Sequence, residues 1–309
     1  LRETTVESWH DRIGRQRDWV WRGWQTRYSY LRVKEPENNN APLILLHGFG
    51  ACIEHWRKNM PVLSQKRDVY AIDLLGFGCS RKAVTNYSVD LWVEQVYDFW
   101  RTFIDRPVVL VGNSLGSLVS LVAAARHPDM VKGLAISSLP DVSLRQEMMP
   151  KFIAPMVNAI ESFFASPFLL NNLLKIVRRR NFIRSVGLNF AYSDKSAITD
   201  ELVEIIARPP LDEGAGDTLC ALFDSTRQTN FAPAVGSILP DLELPILLIW
   251  GKEDRVIPPI IAPIFAKMNH RVKLIEIENV GHCPHDEVPE KYDRILLDWL
   301  GHEVDRAIE

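Results

Sequence analysis

Residues 106–126 read RPVVLVGNSLGSLVSLVAAAR. The stretch opens as an apolar β-type run and closes as a small-residue helical run, with Gly112-Asn113-Ser114-Leu115-Gly116 between them. A strand that turns straight into a helix passes through a cramped backbone conformation, and only residues without bulky side chains two places either side of the turning residue leave room for it. Gly112 and Gly116 hold those places and Ser114 is the turning residue. Such a turn lifts the Ser114 hydroxyl clear of the strand, at the amino end of the next helix, where unpaired N–H groups and the dipole favour developing negative charge. That is a nucleophile's position. A glycine-containing turn without chemistry has the same sequence, so the assignment needs partners elsewhere in the chain.

Outward from this turn, strand and helix patterns alternate. PLILL at 42–46 is a short continuous apolar run, the mark of a strand buried on both faces, and HGFG at 47–50 follows it. DVYAI at 68–72 is the next strand and leads into DLLGFG at 73–78. Val89, Trp92, Val93, Val96, Phe99, Trp100, Phe103 and Ile104 recur at helical spacing. VKGLAI at 131–136, LPILLIW at 244–250 and VKLIEI at 272–277 complete the strands, and a last amphipathic helix runs through Ile295, Leu296 and Trp299. A helical patch from Trp56 and a helix starting near Pro258 fit the same alternation, which implies an α/β fold with a mostly parallel sheet covered on both faces. The aromatic, alternating residues Trp19, Trp21, Trp24, Tyr28 and Tyr30 suit an N-terminal hairpin of edge strands, with PENNN at 36–40 as its polar turn.

The alternation breaks at Leu139-Pro140 and resumes at Leu244-Pro245. Residues 1–139 and 241–309 therefore form the core, and residues 140–240 form an insertion of mainly helical character, a cap or lid. Between Met148 and Ile176 the insertion carries more apolar surface than docking by one stripe requires, and Phe152, Met156, Phe163, Phe164 and Leu170 are candidate substrate-binding residues there. The alternatives are an apolar stripe packed on the sheet, an inner face lining a large cavity, and peripheral contact with a membrane through the cap, where Arg178-Arg179-Arg180 could meet lipid phosphates.

Composition narrows the class of protein. The 309 residues are 47% hydrophobic and 24% charged, with a formal net charge of −3. No basic stripe interleaved with aromatics is present, so a nucleic-acid partner is not expected. Cys52, Cys79, Cys220 and Cys283 are scattered without a C-x-x-C pair, which suits reduced thiols in a cytosolic compartment. No dinucleotide or phosphate-loop fingerprint appears, and neither a cofactor nor a metal is expected.

A serine hydroxyl at neutral pH needs a base within reach, itself oriented by a third group. Asp254 follows the strand ending at Trp250, and His282 follows the strand ending at Ile277. Both stand at the carboxyl edge of the sheet, as Ser114 does, and the order Ser, Asp, His is that of the strand-elbow hydrolases. Glu253 and Asp141 are rival acids, and His285 is a rival base. A metal site at His282, His285, Asp286 and Glu287 is disfavoured because Cys283-Pro284 breaks helical ligand spacing. Acyl transfer also needs donors aimed at an oxyanion, and the backbone N–H groups of Phe49 and Leu115 are the candidates.

With HGFG, DLLGFG, GNSLG, GKEDRVIP and GHCPHDEVPE in place, the chain from about Pro42 onward resembles the serine α/β-hydrolase superfamily. Within it the chain is most similar to the pheophytinase and chlorophyll dephytylase group, on Gly112 to Gly116, Arg208-Pro-Pro with Gly214-Ala215, and residues 281–289. The resemblance implies an α/β-hydrolase fold and hydrolysis of the phytyl ester of a chlorophyll-type tetrapyrrole such as chlorophyll or pheophytin. It also implies a cytoplasmic or stromal location, peripheral on a photosynthetic (thylakoid) membrane. Ser117 departs from that group, where glycine is common. Other readings are a generic long-chain esterase, a carbon–carbon bond hydrolase of aromatic degradation, and a ligand-binding receptor on a hydrolase scaffold. The carbon–carbon hydrolases resemble a group with Trp beside the catalytic His, where this chain has Cys283.

Overall fold

The computed structural model describes residues 9–33, 40–141 and 179–305. Its centre is an eight-stranded sheet in the order β1-β2-β4-β3-β5-β6-β7-β8. The strands are β1 (Arg15–Trp21), β2 (Trp24–Leu31), β3 (Leu43–Leu46), β4 (Val69–Ile72), β5 (Val108–Asn113), β6 (Val131–Ser137), β7 (Ile246–Gly251) and β8 (Val272–Ile277). From β4 to β8 every pairing is parallel, and the β1–β2 and β2–β4 pairings at the edge are antiparallel. The α/β architecture expected from the alternation is the one observed.

Two faces of the sheet explain why the central strands read as unbroken apolar runs. Along β3, β5 and β7, Ile44, Leu46, Val108, Leu110, Ile246 and Leu248 pack on one side, while Leu43, Leu45, Val109, Val111, Leu247 and Ile249 pack on the other. Alternate side chains point to opposite faces, so a strand covered on both sides shows no polar alternation. The first face is covered by α1 (Val89–Phe103) and α2 (Leu115–Arg126). Helix α1 is capped by Ser88, whose side chain accepts from the Leu91 N–H, and it buries Trp92, Val96 and Phe99. Helix α2 is buried along Leu115 to Ala124, as its nearly uninterrupted run of small and aliphatic residues requires. Between β6 and β7, the segment expected to be an insertion includes, among the described residues, α3 (Asp200–Ala207) and α4 (Ala215–Thr226) with several short helical turns. Helix α5 (Ala262–Met268) joins β7 to β8, and α6 (Pro289–Trp299) covers the second face with Tyr292, Leu296 and Trp299.

One expectation is corrected. The hairpin β1–β2 turns at Arg22-Gly23, both at positive φ, and not at residues 36–40. Two-residue hairpin turns with positive φ match the twist of the paired strands, and Gly23 supplies the residue that needs it most. Of the polar stretch, residues 36–39 lie outside the described residues. The helical patch placed near Trp56 is a short 3₁₀ turn, Ile53–Trp56, followed by the turn Met60–Leu63. The candidate substrate residues Phe152, Met156, Phe163, Phe164 and Leu170, and Arg178 of the basic run, lie outside the described residues.

Helix α6 docks through a buried polar pair as well as through its apolar stripe. Asn59 donates to Asp293 Oδ1 at 2.8 Å and to the His285 carbonyl at 2.9 Å. Burial pushes the Asp293 carboxyl up to about 7 against the help of that hydrogen bond. The folded chain therefore keeps this proton over a range where the unfolded chain has released it, and stability falls as pH rises from about 4 to about 7. Asp293→Asn, which never ionises, should match the parent near pH 4 and gain on it up to pH 7, by on the order of 1–4 kcal/mol, then level off. Urea unfolding at several pH values measures this, and a constant difference would refute it.

Candidate active site

The parallel strands deliver their carboxyl ends to one edge: Leu46 pairs with Gly112, Asn113 with Ser137, and Gly251 with Ile277. Ser114 follows β5 at φ 54° and ψ −116°, a conformation that a residue with a side chain adopts only under constraint. The flanking glycines have the steric role their spacing implies. A Cβ on Gly112 would overlap the Gly116 carbonyl, and one on Gly116 would overlap the carbonyl of Leu46 on β3. The Ser114 N–H is fixed by the Ser137 carbonyl at 2.9 Å. Ser117 lies one turn on, its Oγ 2.9 Å from the Gly112 carbonyl and 2.7 Å from that of Ser137, and it accepts from the Ser137 N–H. The hydroxyl that stands where a glycine was expected thus ties the elbow to β6.

Asp254 and His282 meet as their strand positions predicted. His282 Nδ1 lies 2.9 Å from Asp254 Oδ2, and Asp254 Oδ1 accepts from the Val256 and Ile257 N–H groups at 2.8 and 2.9 Å. A carboxylate can only accept, so Nδ1 carries the proton and Nε2 presents its lone pair. Ser114 and His282 line the same cavity. No hydrogen bond joins the two side chains. The rivals are placed elsewhere. Glu253 is exposed, and Asp141 Oδ2 accepts from the Val235 N–H at 3.2 Å. His285 is fully buried with its ring 4.2 Å from that of Trp56, and burial pushes its pKa well down.

The two candidate oxyanion donors, the N–H groups of Phe49 and Leu115, have no hydrogen-bond partner among the described residues. His47, which sequence reasoning passed over, sets the direction of the first. Its Nε2 accepts from the Leu74 N–H at 3.1 Å, so Nδ1 bears the proton and donates to the Gly48 carbonyl at 2.8 Å. In a trans peptide the C=O and N–H point opposite ways, and the Phe49 N–H is therefore turned away from His47. Burial holds the imidazole at about 4, which keeps it neutral and this tautomer in place. Asn113 and Ser138 were also missed. Both donate to the His282 carbonyl, at 3.0 and 3.2 Å, and so fix the loop that carries His282. The adjacent motif has a hub in Asp73, whose carboxylate accepts from the Ile53 and Cys79 N–H groups at 2.8 and 2.7 Å. Burial, with the charge of Glu54, raises Asp73 to about 7.

The cavity has a volume of about 520 Å³, within the roughly 300–1,000 Å³ typical of small-molecule sites. Its wall is mainly apolar, with Phe49 and Phe77 from the core and Ile183, Leu188, Ile206 and Leu219 from the insertion. Among the described residues the wall holds one Lys or Arg side chain, Lys82, and no carboxylate. The Lys82 ammonium is taken up by the carbonyls of Gly78 and Ser80 and by Asp212. Groups of three or more His, Cys, Asp and Glu suited to a metal are absent among the described residues.

Three comparisons extend this geometry. The 2-hydroxymuconate semialdehyde hydrolase of Pseudomonas sp. (strain CF600) is 29% identical over 273 residues, which covers 86% of this chain and 88% of that protein. The chloroplastic pheophytinase of Arabidopsis thaliana is 27% identical over 309 residues, which covers 86% of this chain and 62% of that protein. The crystal structure of a serine hydrolase involved in carbazole degradation, the CarC enzyme, superposes with a TM-score of 0.72 at 23% identity, over 93% of this chain and 98% of the other. At that identity the likeness is one of fold. A model of the alpha/beta hydrolase family matches residues 43–295, most of the chain, and the protein belongs to that family.

Proposed function

We propose that the protein is a serine ester hydrolase that works through an acyl-enzyme, with Ser114 as nucleophile, His282 as base and Asp254 as its orienting acid. The observation that carries this reading is a serine at φ 54° sharing an apolar cavity with a histidine whose Nδ1 is fixed by a buried carboxylate. Ser114 Oγ attacks the ester carbonyl and its proton passes to His282 Nε2. The tetrahedral oxyanion takes hydrogen bonds from the Phe49 and Leu115 N–H groups. Collapse breaks the bond to the alkoxy oxygen, which leaves as the alcohol with the proton from Nε2. Water then attacks the acyl-enzyme, giving its proton to His282, and Ser114 is regenerated with release of the acid.

Residues 140–240 are assigned as the cap that sets the substrate. The finer reading is an ester of a long isoprenoid alcohol, the phytyl ester of a chlorophyll-type tetrapyrrole. The apolar wall and the similarity to the Arabidopsis pheophytinase support it. Carbon–carbon bond hydrolysis is a second reading, favoured by the similarity to the 2-hydroxymuconate semialdehyde hydrolase. Against it stand Cys283 beside the histidine and a wall whose one ammonium among the described residues, that of Lys82, has no hydrogen left for a substrate carboxylate. Contact of the cap with a photosynthetic membrane surface belongs to the phytyl-ester reading.

Ser114→Ala should lower kcat by roughly 10⁴–10⁶ with the fold intact, and a fluorophosphonate probe should label Ser114. A label on another serine, or an active Ser114→Ala chain, refutes the nucleophile, and a wild-type chain inert to every ester and to the probe favours a binding protein. Asp254→Asn should cost about 10⁴ in kcat with substrate binding kept, whereas Glu253→Gln and Asp141→Asn should leave turnover near wild type. Chlorophyll, pheophytin, graded p-nitrophenyl esters and a ring-cleavage dienoate, offered to the purified chain, separate the substrate readings by the products released. Each further methylene held by the cavity should add about 0.8 kcal/mol to transition-state binding until the cavity is full. A kcat/KM that is flat both when the acyl chain is lengthened in p-nitrophenyl esters and when the alcohol is lengthened in alkyl esters of one acid would exclude the long-chain reading.

A further inference from the structure

Residues 191–194 of the insertion lie against the loop that carries His282. The His282 N–H donates to the Ala191 carbonyl at 2.7 Å. Glu287, on the helical turn Pro284–Glu287, sends its carboxylate back across that contact. Its Oε1 accepts from the N–H groups of Ser193 and Asp194, at 2.8 and 2.6 Å, and its Oε2 accepts from the Gly281 N–H at 2.8 Å. One carboxylate thereby grips the insertion with one oxygen and the residue before His282 with the other. The fit leaves no slack, since a Cβ on Gly281 would overlap the Ala191 carbonyl. Between these bonds the Tyr192 phenol donates to Asp286 Oδ2 at 2.8 Å and sits 2.8 Å from His55 Nε2.

The same stretch has a second surface. Leu188, Ala191 and Tyr192 line the cavity beside Ser114 and His282. That segment is therefore both a wall of the cavity and a support of the histidine loop.

We propose that Glu287 is a positioning residue that makes the placement of His282 depend on occupancy of the cavity. A chain packed against Leu188, Ala191 and Tyr192 fixes residues 191–194, and the Glu287 carboxylate passes that restraint to Gly281 and His282. Apolar binding remote from the reacting carbonyl is thus spent on aligning the base, and longer substrates gain in kcat as well as in KM. The proposal rests on the serine-hydrolase reading above. A carboxylate suits the task because both of its oxygens accept, whereas an amide in its place turns an NH₂ toward one set of N–H donors.

The test uses the full chain and p-nitrophenyl esters graded from acetate to dodecanoate, with kcat and KM resolved for each. In the wild-type chain kcat should rise about 10-fold or more along the series. In Glu287→Gln that rise should vanish while KM still falls with length, because the apolar wall is untouched. A merely structural Glu287 would lower the melting temperature and scale kcat down equally for every ester, leaving the long-to-short ratio unchanged. That result overturns the proposal, as does a wild-type kcat that is flat with chain length, or a Glu287→Gln chain indistinguishable from wild type. A wild-type chain that hydrolyses no ester and takes no fluorophosphonate label overturns the hydrolase reading itself, and is recognised because the variant plays no part in it. Should Glu287→Gln not fold, Tyr192→Phe loosens the same segment at the phenol and is judged by the same ratio of kcat values.

Discussion

The backbone at Ser114 is the constraint around which the other parts of the site are arranged. A residue with a side chain at φ 54° and ψ −116° costs on the order of 1–3 kcal/mol, and it persists only where its surroundings permit no alternative. Here those surroundings are β3 and β6, the strands on either side of β5. The Leu46 carbonyl stands where any side chain at position 116 would go, and the Ser137 carbonyl takes the Ser114 N–H. Ser117 bridges Gly112 to Ser137 with its buried hydroxyl. The elbow is therefore a property of three adjacent strands and not of the five residues that spell it. The same strands end beside the loops that bear Phe49, Asp254 and His282.

A second layer of constraint lies beneath the histidine loop. Arg57, fully buried, donates to Asp286 at 2.7 Å and to Glu201 of α3 at 2.5 Å, and Arg12 pairs with the same Glu201. Burial alone would raise Asp286, but the charges of His55, Arg57 and Lys58 outweigh it and hold the carboxyl at about 2. Buried ion pairs of this kind add little to net stability, because desolvation consumes most of the Coulombic gain. Their effect is on register: they join the N-terminal turn Trp9–Arg12, the 3₁₀ segment after β3, the insertion and the histidine loop through directional bonds. Breaking one partner would leave an uncompensated buried charge, so the four segments hold one relative arrangement or lose it together.

What the sequence disclosed, and what it did not, follows from the range of the forces involved. The strands, α1 and the glycine elbow were legible because each is written in local periodicity or in a spacing of two. Asp254 and His282 were legible because parallel strands end on one edge, so position after a strand already fixes position in space. His47, Asn113, Ser138 and Glu287 were not, for they act on carbonyl and N–H groups that only the finished fold brings near. A buried side chain that aims a peptide plane leaves no periodic trace. The cavity wall was partly hidden for a similar reason. Phe182, Ile183, Leu188 and Ala191 lie on short turns without a sustained apolar stripe, while the longer apolar run at 148–176 drew the inference to residues outside those described.

The division of labour within the site also bounds the kind of selectivity it can have. The sheet edge carries Ser114, His282 and the Phe49 and Leu115 N–H groups, which on the proposed reading serve any acyl group, and the choice among substrates then falls to the wall of the cavity. Among the described residues that wall is built chiefly of aliphatic and aromatic side chains, and its one ammonium, that of Lys82, already has three oxygen partners. A surface of this kind discriminates by area, at about 0.8 kcal/mol per methylene, and rejects an isostere with an added hydroxyl only weakly. It can reject a charge strongly, since a carboxylate entering it would lose water and find no free cation among the described residues. Sharper discrimination must come from geometry beside Ser114 and His282, where residues 191–194 and the histidine loop are joined by the Glu287 carboxylate, the Ala191 carbonyl and the Tyr192 phenol.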